Sequence, residues 1–288
     1  MLFASSHWRF GESGIDTRFV VGQHSRLHVI RRWGLVFDAR FCVGPPPRGN
    51  KSSVYFLLSG HFTTSKGQAS EPPGMWLLKE EEFESASRDA TTFRSWGAPA
   101  VVADICLHPD HVLPPIGIEH GKRTVPPGCA EALLTLLEPE LDESAGRVAF
   151  ATLLRLLAEA GVLHRECADE DQEEPPHMLR LWEALSKLYS NQDTGLTMDM
   201  LSLATKLSPR QLYRDTDLLI QRIRVAPKMR ASVRVMRLRR AALLLSAPEM
   251  AVGDVARAVG YGSADAMARA FRDAKLPSPS EVRATLLT

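Results

Sequence analysis

The sequence predicts an α+β protein in two parts. An N-terminal β-barrel or sandwich with helices after it comes first. An all-α C-terminal domain follows, made of two helix-turn-helix units joined by a long helix. Three observations lead there. Short runs rich in β-branched and aromatic residues, separated by Gly, Pro and Asn, fill the chain to about Val112. From Cys129 the leucines recur at helical spacing. Charge is also split: Met178 to the end carries 18 Lys/Arg against 10 Asp/Glu, a net +8, and the residues before it carry 17 against 24, a net −7.

The strand candidates are FVVGQHSRLHVI, GLVFDARFCV, SVYFLLSGHFTTS, GMWLLKE, TTFRSW and AVVADICL. GPPPRGNKS and ASEPPG supply turns between them, a pattern of many short strands that suits a barrel or sandwich. In CAEALLTLLEPELDESAGRVAFATLLRLLAEAGVL, Pro139 breaks the helical period and predicts two helices with a corner. Their leucine stripe either packs on the strands or pairs with a second copy. These elements make a first domain over residues 1–165. The stretch HRECADEDQEEPPH is acidic and poor in large apolar residues, which predicts a linker over 166–177. The basic helical domain then spans 178–288.

No apolar run reaches the roughly 20 residues that cross a bilayer, and MLFASSHWRFGESG lacks a basic start followed by an apolar core. Cys42, Cys106, Cys129 and Cys167 are scattered and form no C-x-x-C pair, so neither a disulfide framework nor a zinc site is expected. A reduced, cytoplasmic setting fits. The basic end suits an anionic partner, nucleic acid first, with a solvated basic surface as the plain alternative.

AVGDVARAVGYGSADAMARAFRDAKLPSPSEVR reads as two short helices around a glycine corner. Ala251, Ala256 and Ala258 let the first helix approach closely, and Val255 and Val259 give apolar contact. Gly260 and Gly262 are candidates for a positive φ in the turn. Ser263 is a natural N-cap. Met267 and Phe271, four apart, face inward, which leaves Ala264, Asp265, Ala268 and Arg269 outside. A second unit lies in TMDMLSLATKLSPRQLYRDTDLLI, where Ser208 and Pro209 open a helix bearing Arg210, Gln211, Tyr213 and Arg214. MRASVRVMRLRRAALLLSAP is a basic helix between the units, closed by Pro248. Two readers so joined suit major-groove segments about 34 Å apart.

The strings LSPRQLYR, RLRRAALLL and VARAVGYGSADAMARAFRDAKLPSPSEVR resemble the DNA-binding domain of the AraC/XylS family of bacterial transcription regulators. The resemblance covers about Met178 to Leu287. It implies contact with double-stranded DNA from Arg210, Tyr213 and Arg214 in the first unit. In the second it implies contact from Ser263, Ala264, Asp265, Ala268 and Arg269. Arginine can grip guanine through two hydrogen bonds, aspartate can accept from cytosine, and alanine can touch a thymine methyl. Arg237, Arg239 and Arg240 contact phosphate or stand as solvated charges. Asp215 and Asp217 depart from the family's basic first reader. Thr216 replaces a core aromatic, and Leu212 to Arg237 is longer than in the family. These departures predict a weakened or reshaped first reader.

VYFLLSGHFTTSKGQASEPPGMWLLKEEEFES is similar to the cupin-like sensor domain often found in this family. That resemblance implies a small-molecule effector, dimerisation, or both. His24 with His28, and His108 with His111, are close pairs that lack a third ligand. No metal, other cofactor or catalytic residue is therefore expected. Trp33, Trp76 and Trp96 line an apolar pocket or belong to the core. The reading is a sequence-specific DNA-binding transcription regulator, effector-responsive, a homodimer, with RNA polymerase as a further partner. The alternative is a metal-dependent cupin-type enzyme with a DNA-binding tail.

Overall fold

The computed structural model describes residues 1–41, 51–63, 71–85, 94–168, 173–189 and 197–288. Its first part is one antiparallel sheet of β1 (Leu2–Phe10), β2 (Ser13–Val21), β3 (Ser25–Trp33), β4 (Phe37–Asp38), β5 (Ser52–Thr63), β6 (Gly74–Lys79) and β7 (Arg94–Leu107). Pairing follows β1-β2-β3-β7-β5-β6, with β4 beside β7. The expected FVVGQHSRLHVI strand is two strands, turned at Gly22, whose N–H donates to the Ser25 carbonyl. Within GLVFDARFCV only Phe37–Asp38 is strand, and Cys42 and Val43 lie outside the described residues. TTFRSW and AVVADICL join into the single strand β7, apart from 91–93, which are not described. β1 was missed because Ser5, Ser6 and His7 interrupt its apolar alternation.

Strand alternation gives the sheet two apolar faces. Leu27, Val29, Phe56, Leu77, Val101 and Ile105 point to one side. There they meet α2 (Cys129–Thr135) and α3 (Glu143–Glu159), which follow α1 (Glu80–Ser85) in the chain. Asp142 caps α3 by accepting from the Ala145 N–H at 2.8 Å. The leucine stripe of these helices is therefore core: Leu133, Leu153, Leu154 and Leu157 are buried under the sheet.

The opposite face is covered as well, by α4 (Pro176–Tyr189), α5 (Met198–Thr205), α6 (Pro209–Ile223), α7 (Met229–Leu244), α8 (Val252–Ala258), α9 (Ala264–Asp273) and α10 (Pro279–Leu287). β2, which lies between the two helical layers, is buried at every position. Phe19 and Val21 of β2 share one cluster with Leu181, Trp182, Leu212 and Leu219. Trp182 stacks on Phe19 with ring centroids 6.2 Å apart, and its indole N–H donates to the Phe3 carbonyl at 2.7 Å. Phe41, with Trp8 and Phe10 beside it, packs into the core of the second helical unit. Of the acidic stretch 166–177, residues 169–172 lie outside the described residues, and α4 starts at Pro176.

Candidate nucleic-acid interface

Both expected helix-turn-helix units form. In the first, α5 ends at Lys206 in the left-handed region, and Ser208 caps α6 by accepting from the Gln211 N–H at 3.4 Å, with Pro209 as first helical residue. The 3.6-residue period then sorts α6. Leu212, Leu219, Ile220 and Ile223 face the core, while Arg210, Tyr213, Arg214 and Asp217 are exposed. Asp215 and Thr216 fall on the inner side and are buried, at 1% and 2% exposure. The outer edge of α6 thus carries basic and aromatic side chains.

In the second unit, Val255 and Ala256 of α8 are buried against Met267 and Phe271 of α9. Gly260 takes φ +84° at the corner, a conformation that strains any residue with a Cβ. Gly262 does not adopt a positive φ. The Tyr261 N–H donates to the Ala256 carbonyl at 2.8 Å and closes the turn. Ser263 caps α9 by accepting from the Ala266 N–H at 3.1 Å. Asp265 and Arg269 stand exposed on the outer face, with Ala264 and Ala268 half-buried beside them. All eight side chains singled out in the sequence therefore lie on exposed or partly exposed faces of the two second helices or at their caps.

α7 joins the units over 16 residues, about 24 Å at 1.5 Å per residue. The connection from α7 to α8 is held by Arg283 of α10, whose guanidinium donates to the carbonyls of Ala247, Pro248 and Met250 at 3.1, 3.0 and 2.5 Å. That arginine fixes the angle between α7 and the second unit and has no donor face left for DNA along those bonds.

The arginines of α7 correct the sequence reading. Arg240 lies over the Trp8 ring at 5.6 Å, and Arg237 over Tyr261 at 5.8 Å. Arg239 and Arg240 face the sheet and line a cavity of about 160 Å³ between it and α7. They are placed for neither phosphate contact nor full solvation. Opposite them stand Phe19, Arg26, His28, Arg32 and Asp104. Arg26 donates to Asp104 at 2.6 Å; burial lowers its pKa, but Asp104 and Cys106 outweigh that and hold it above its ordinary value. Burial pushes Arg32 down to about 10. Burial and the charge of Arg237 push Arg240 down to about 9. Burial and Arg26 bring His28 down to about 3, so it is neutral at pH 7. The cavity is thus apolar in its walls and rich in poorly solvated positive charge. No sequence pattern pointed to it, because the inward turn of the α7 arginines depends on how α7 lies against the sheet.

Among the described residues, no group of three or more His, Cys, Asp or Glu is placed to hold a metal ion. His24 rests on His111 with ring centroids 5.2 Å apart, and His108 lies 6.0 Å from His111, whereas His28 belongs to the cavity. Cys106, Cys129 and Cys167 are buried thiols outside any disulfide, and Cys42 lies outside the described residues. Trp76 is buried in a small cluster on the sheet, and Arg9 lies over Trp33 at 4.3 Å. The Trp96 side chain is outside the described residues. No described helix is long and apolar enough to cross a membrane.

Residues 201–285 match a family described as a helix-turn-helix domain. No curated protein matches the chain. Among solved structures, ToxT from Vibrio cholerae O395 is 12% identical, with TM-score 0.38, and the match covers 92% of this chain and 98% of that one. Unsaturated fatty acid bound ToxT from Vibrio cholerae strain SCE256 gives 10% and 0.39, covering 92% and 96%. The AraC-like transcriptional activator CuxR gives 10% and 0.24, covering 79% and 80%.

Proposed function

We propose, from a C-terminal region that is an AraC-type helix-turn-helix domain over residues 201–285, that this chain is a sequence-specific DNA-binding transcription regulator whose N-terminal part responds to a small molecule. The carrying observation is the pair of capped helices α6 and α9, each with buried apolar residues on one side and exposed arginine on the other. Arg210, Tyr213 and Arg214 read or anchor from the first. Ser263, Ala264, Asp265, Ala268 and Arg269 do so from the second, with arginine to guanine as the main discriminating contact. The net +8 of the C-terminal part steers the encounter and supplies the salt-dependent affinity.

The effector site we assign to the cavity between the sheet and α7. A cavity of about 150 Å³ is known to take one benzene-sized molecule, and this one is similar in volume. Arg32, Arg239 and Arg240 favour a compact anion with an apolar body, because a buried cation gains most from a counter-charge held close. Such a ligand would touch both the sheet and the helix that joins the readers, so its affinity would depend on how the readers are presented. A homodimer acting in the cytoplasm, with RNA polymerase as a further partner, completes the reading.

Selection of DNA fragments by purified protein at near-physiological salt tests it. Two boxes about one helical turn apart are expected. A single box would remove the first reader from the proposal. No enrichment by well-folded protein, with benzoate or hexanoate present or absent, would overturn the DNA-binding reading.

A further inference from the structure

In the sequence, Asp215 reads as a departure from a basic first unit, one that weakens or reshapes it. The structure puts it elsewhere. Asp215 is 1% exposed on the inner side of α6. Its Oδ1 accepts from Arg214 Nε at 3.0 Å. Its Oδ2 lies 3.6 Å from His177 Nε2 of α4 and accepts no hydrogen bond. The Arg214 side chain is 65% exposed. A buried carboxylate is costly, and an apolar residue would serve the packing beside Leu212 and Leu219 better.

We propose that Asp215 is a positioning residue for base reading by Arg214, a role that rests on the DNA-binding function proposed above. The guanidinium has five N–H donors. Asp215 takes the one on Nε and leaves the four on the two terminal nitrogens, the pair that matches guanine O6 and N7. Holding the long side chain from below removes rotamer freedom before DNA arrives, so less is lost on binding. Burial also keeps the carboxylate charge away from the DNA backbone. His177 places α4, the helix whose Trp182 bonds to the sheet, beside the carboxylate. The groove beside these groups also carries Glu174, Arg222 and Arg224.

The test uses the full chain and the motif that it selects from randomised DNA. Arg214→Ala should lose discrimination at one base pair. Asp215→Ala should lose it at the same base pair, roughly tenfold, and by more than it loses on random-sequence DNA. The double variant should match Arg214→Ala alone. Asp215→Asn, which keeps shape and an acceptor oxygen, should fall between wild type and Asp215→Ala, and it stands in if the alanine variant unfolds. Base preference unchanged in both Asp215 variants would overturn the proposal, as would losses additive with Arg214→Ala. Tighter binding by Asp215→Ala would also overturn it, since Asp215 would then be withholding Arg214 from DNA. A wild-type protein that selects no motif overturns the DNA-binding reading and this role with it. A wild-type motif that ignores Asp215 overturns this role alone.

Discussion

Arg222 and Glu174 meet through two parallel N–H···O bonds, from Nη1 to Oε2 at 3.0 Å and from Nη2 to Oε1 at 2.5 Å. Arg222 Nε also donates to the Gly22 carbonyl at 2.9 Å. Arg222 belongs to α6 and Gly22 to the β2–β3 turn, so one guanidinium fastens that helix to the sheet. Burial alone would raise the Glu174 pKa, but Arg222 outweighs it and holds the group below 4.5. Arg222→Gln would leave the buried Glu174 carboxylate to the Met1 ammonium, 3.4 Å from its Oε1, and is expected to destabilise the chain in urea denaturation by less than the about 3–5 kcal/mol of a fully broken buried pair. Because the folded pKa is depressed, the pair's contribution is present above pH 4.5 and is lost as pH falls through the folded value. The gap between wild type and Glu174→Gln should narrow over that window.

Arg283→Ala tests whether the closing arginine builds the domain or reads DNA. It removes charged hydrogen bonds to carbonyls in the connection between α7 and α8. Such bonds are worth about 1.5–3 kcal/mol each and do not add in full, so a loss of about 2–4 kcal/mol is expected. The selected DNA motif should keep its base preferences. A changed motif with unchanged stability would place Arg283 at the DNA instead.

Arg269 stands exposed on α9 behind its Ser263 cap. Arg269→Ala should weaken discrimination at one base pair by about 1–3 kcal/mol, read by competition binding against a site mutated there. Equal affinity for both sites in wild type and variant would remove Arg269 from the base readers.

The sequence carried the second unit well, because a capped nine- or ten-residue helix is specified locally. Ser263, Met267 and Phe271 fall where their types require. Gly260 was also legible, since the corner demands a positive φ. What stayed hidden depends on long-range packing. Asp215 read as a surface acid because nothing nearby in sequence shows that α4 covers that side. Arg239 and Arg240 read as phosphate contacts or solvated charges because α7 is basic on a face that only the sheet makes internal. β1 escaped because Ser5, Ser6 and His7 interrupt its apolar alternation, and the pairing with β2 that holds them in a strand is a context absent from its own nine residues.

His28 gives a pH dependence with a definite sign. Burial, chiefly, lowers its pKa from 6.5 to about 3. Between those values the unfolded chain binds a proton that the folded chain does not, so stability falls with acidification by up to about 1.4 kcal/mol per pH unit. From pH 6.5 to 5 this lies above the range of ordinary carboxylates. Urea midpoints should fall across that interval in wild type and fall less in His28→Gln. Parallel slopes would mean that His28 is protonated in the folded state.

Arg240 sets stability against response. Its charge sits half-buried between α7 and Trp8, and burial together with Arg237 brings its pKa down to about 9. Replacing a poorly solvated charge by an apolar side chain of similar reach removes a desolvation cost. Arg240→Met is therefore expected to hold or raise the melting temperature of ligand-free protein. The same change removes a counter-charge from the cavity, so benzoate or hexanoate should stabilise the variant less than wild type. A ligand that binds only the folded state adds stability as the logarithm of its concentration over Kd, which makes the thermal shift a direct measure of that loss. A variant both less stable and equally responsive would mean that Arg240 holds the sheet to α7 and takes no part in ligand capture.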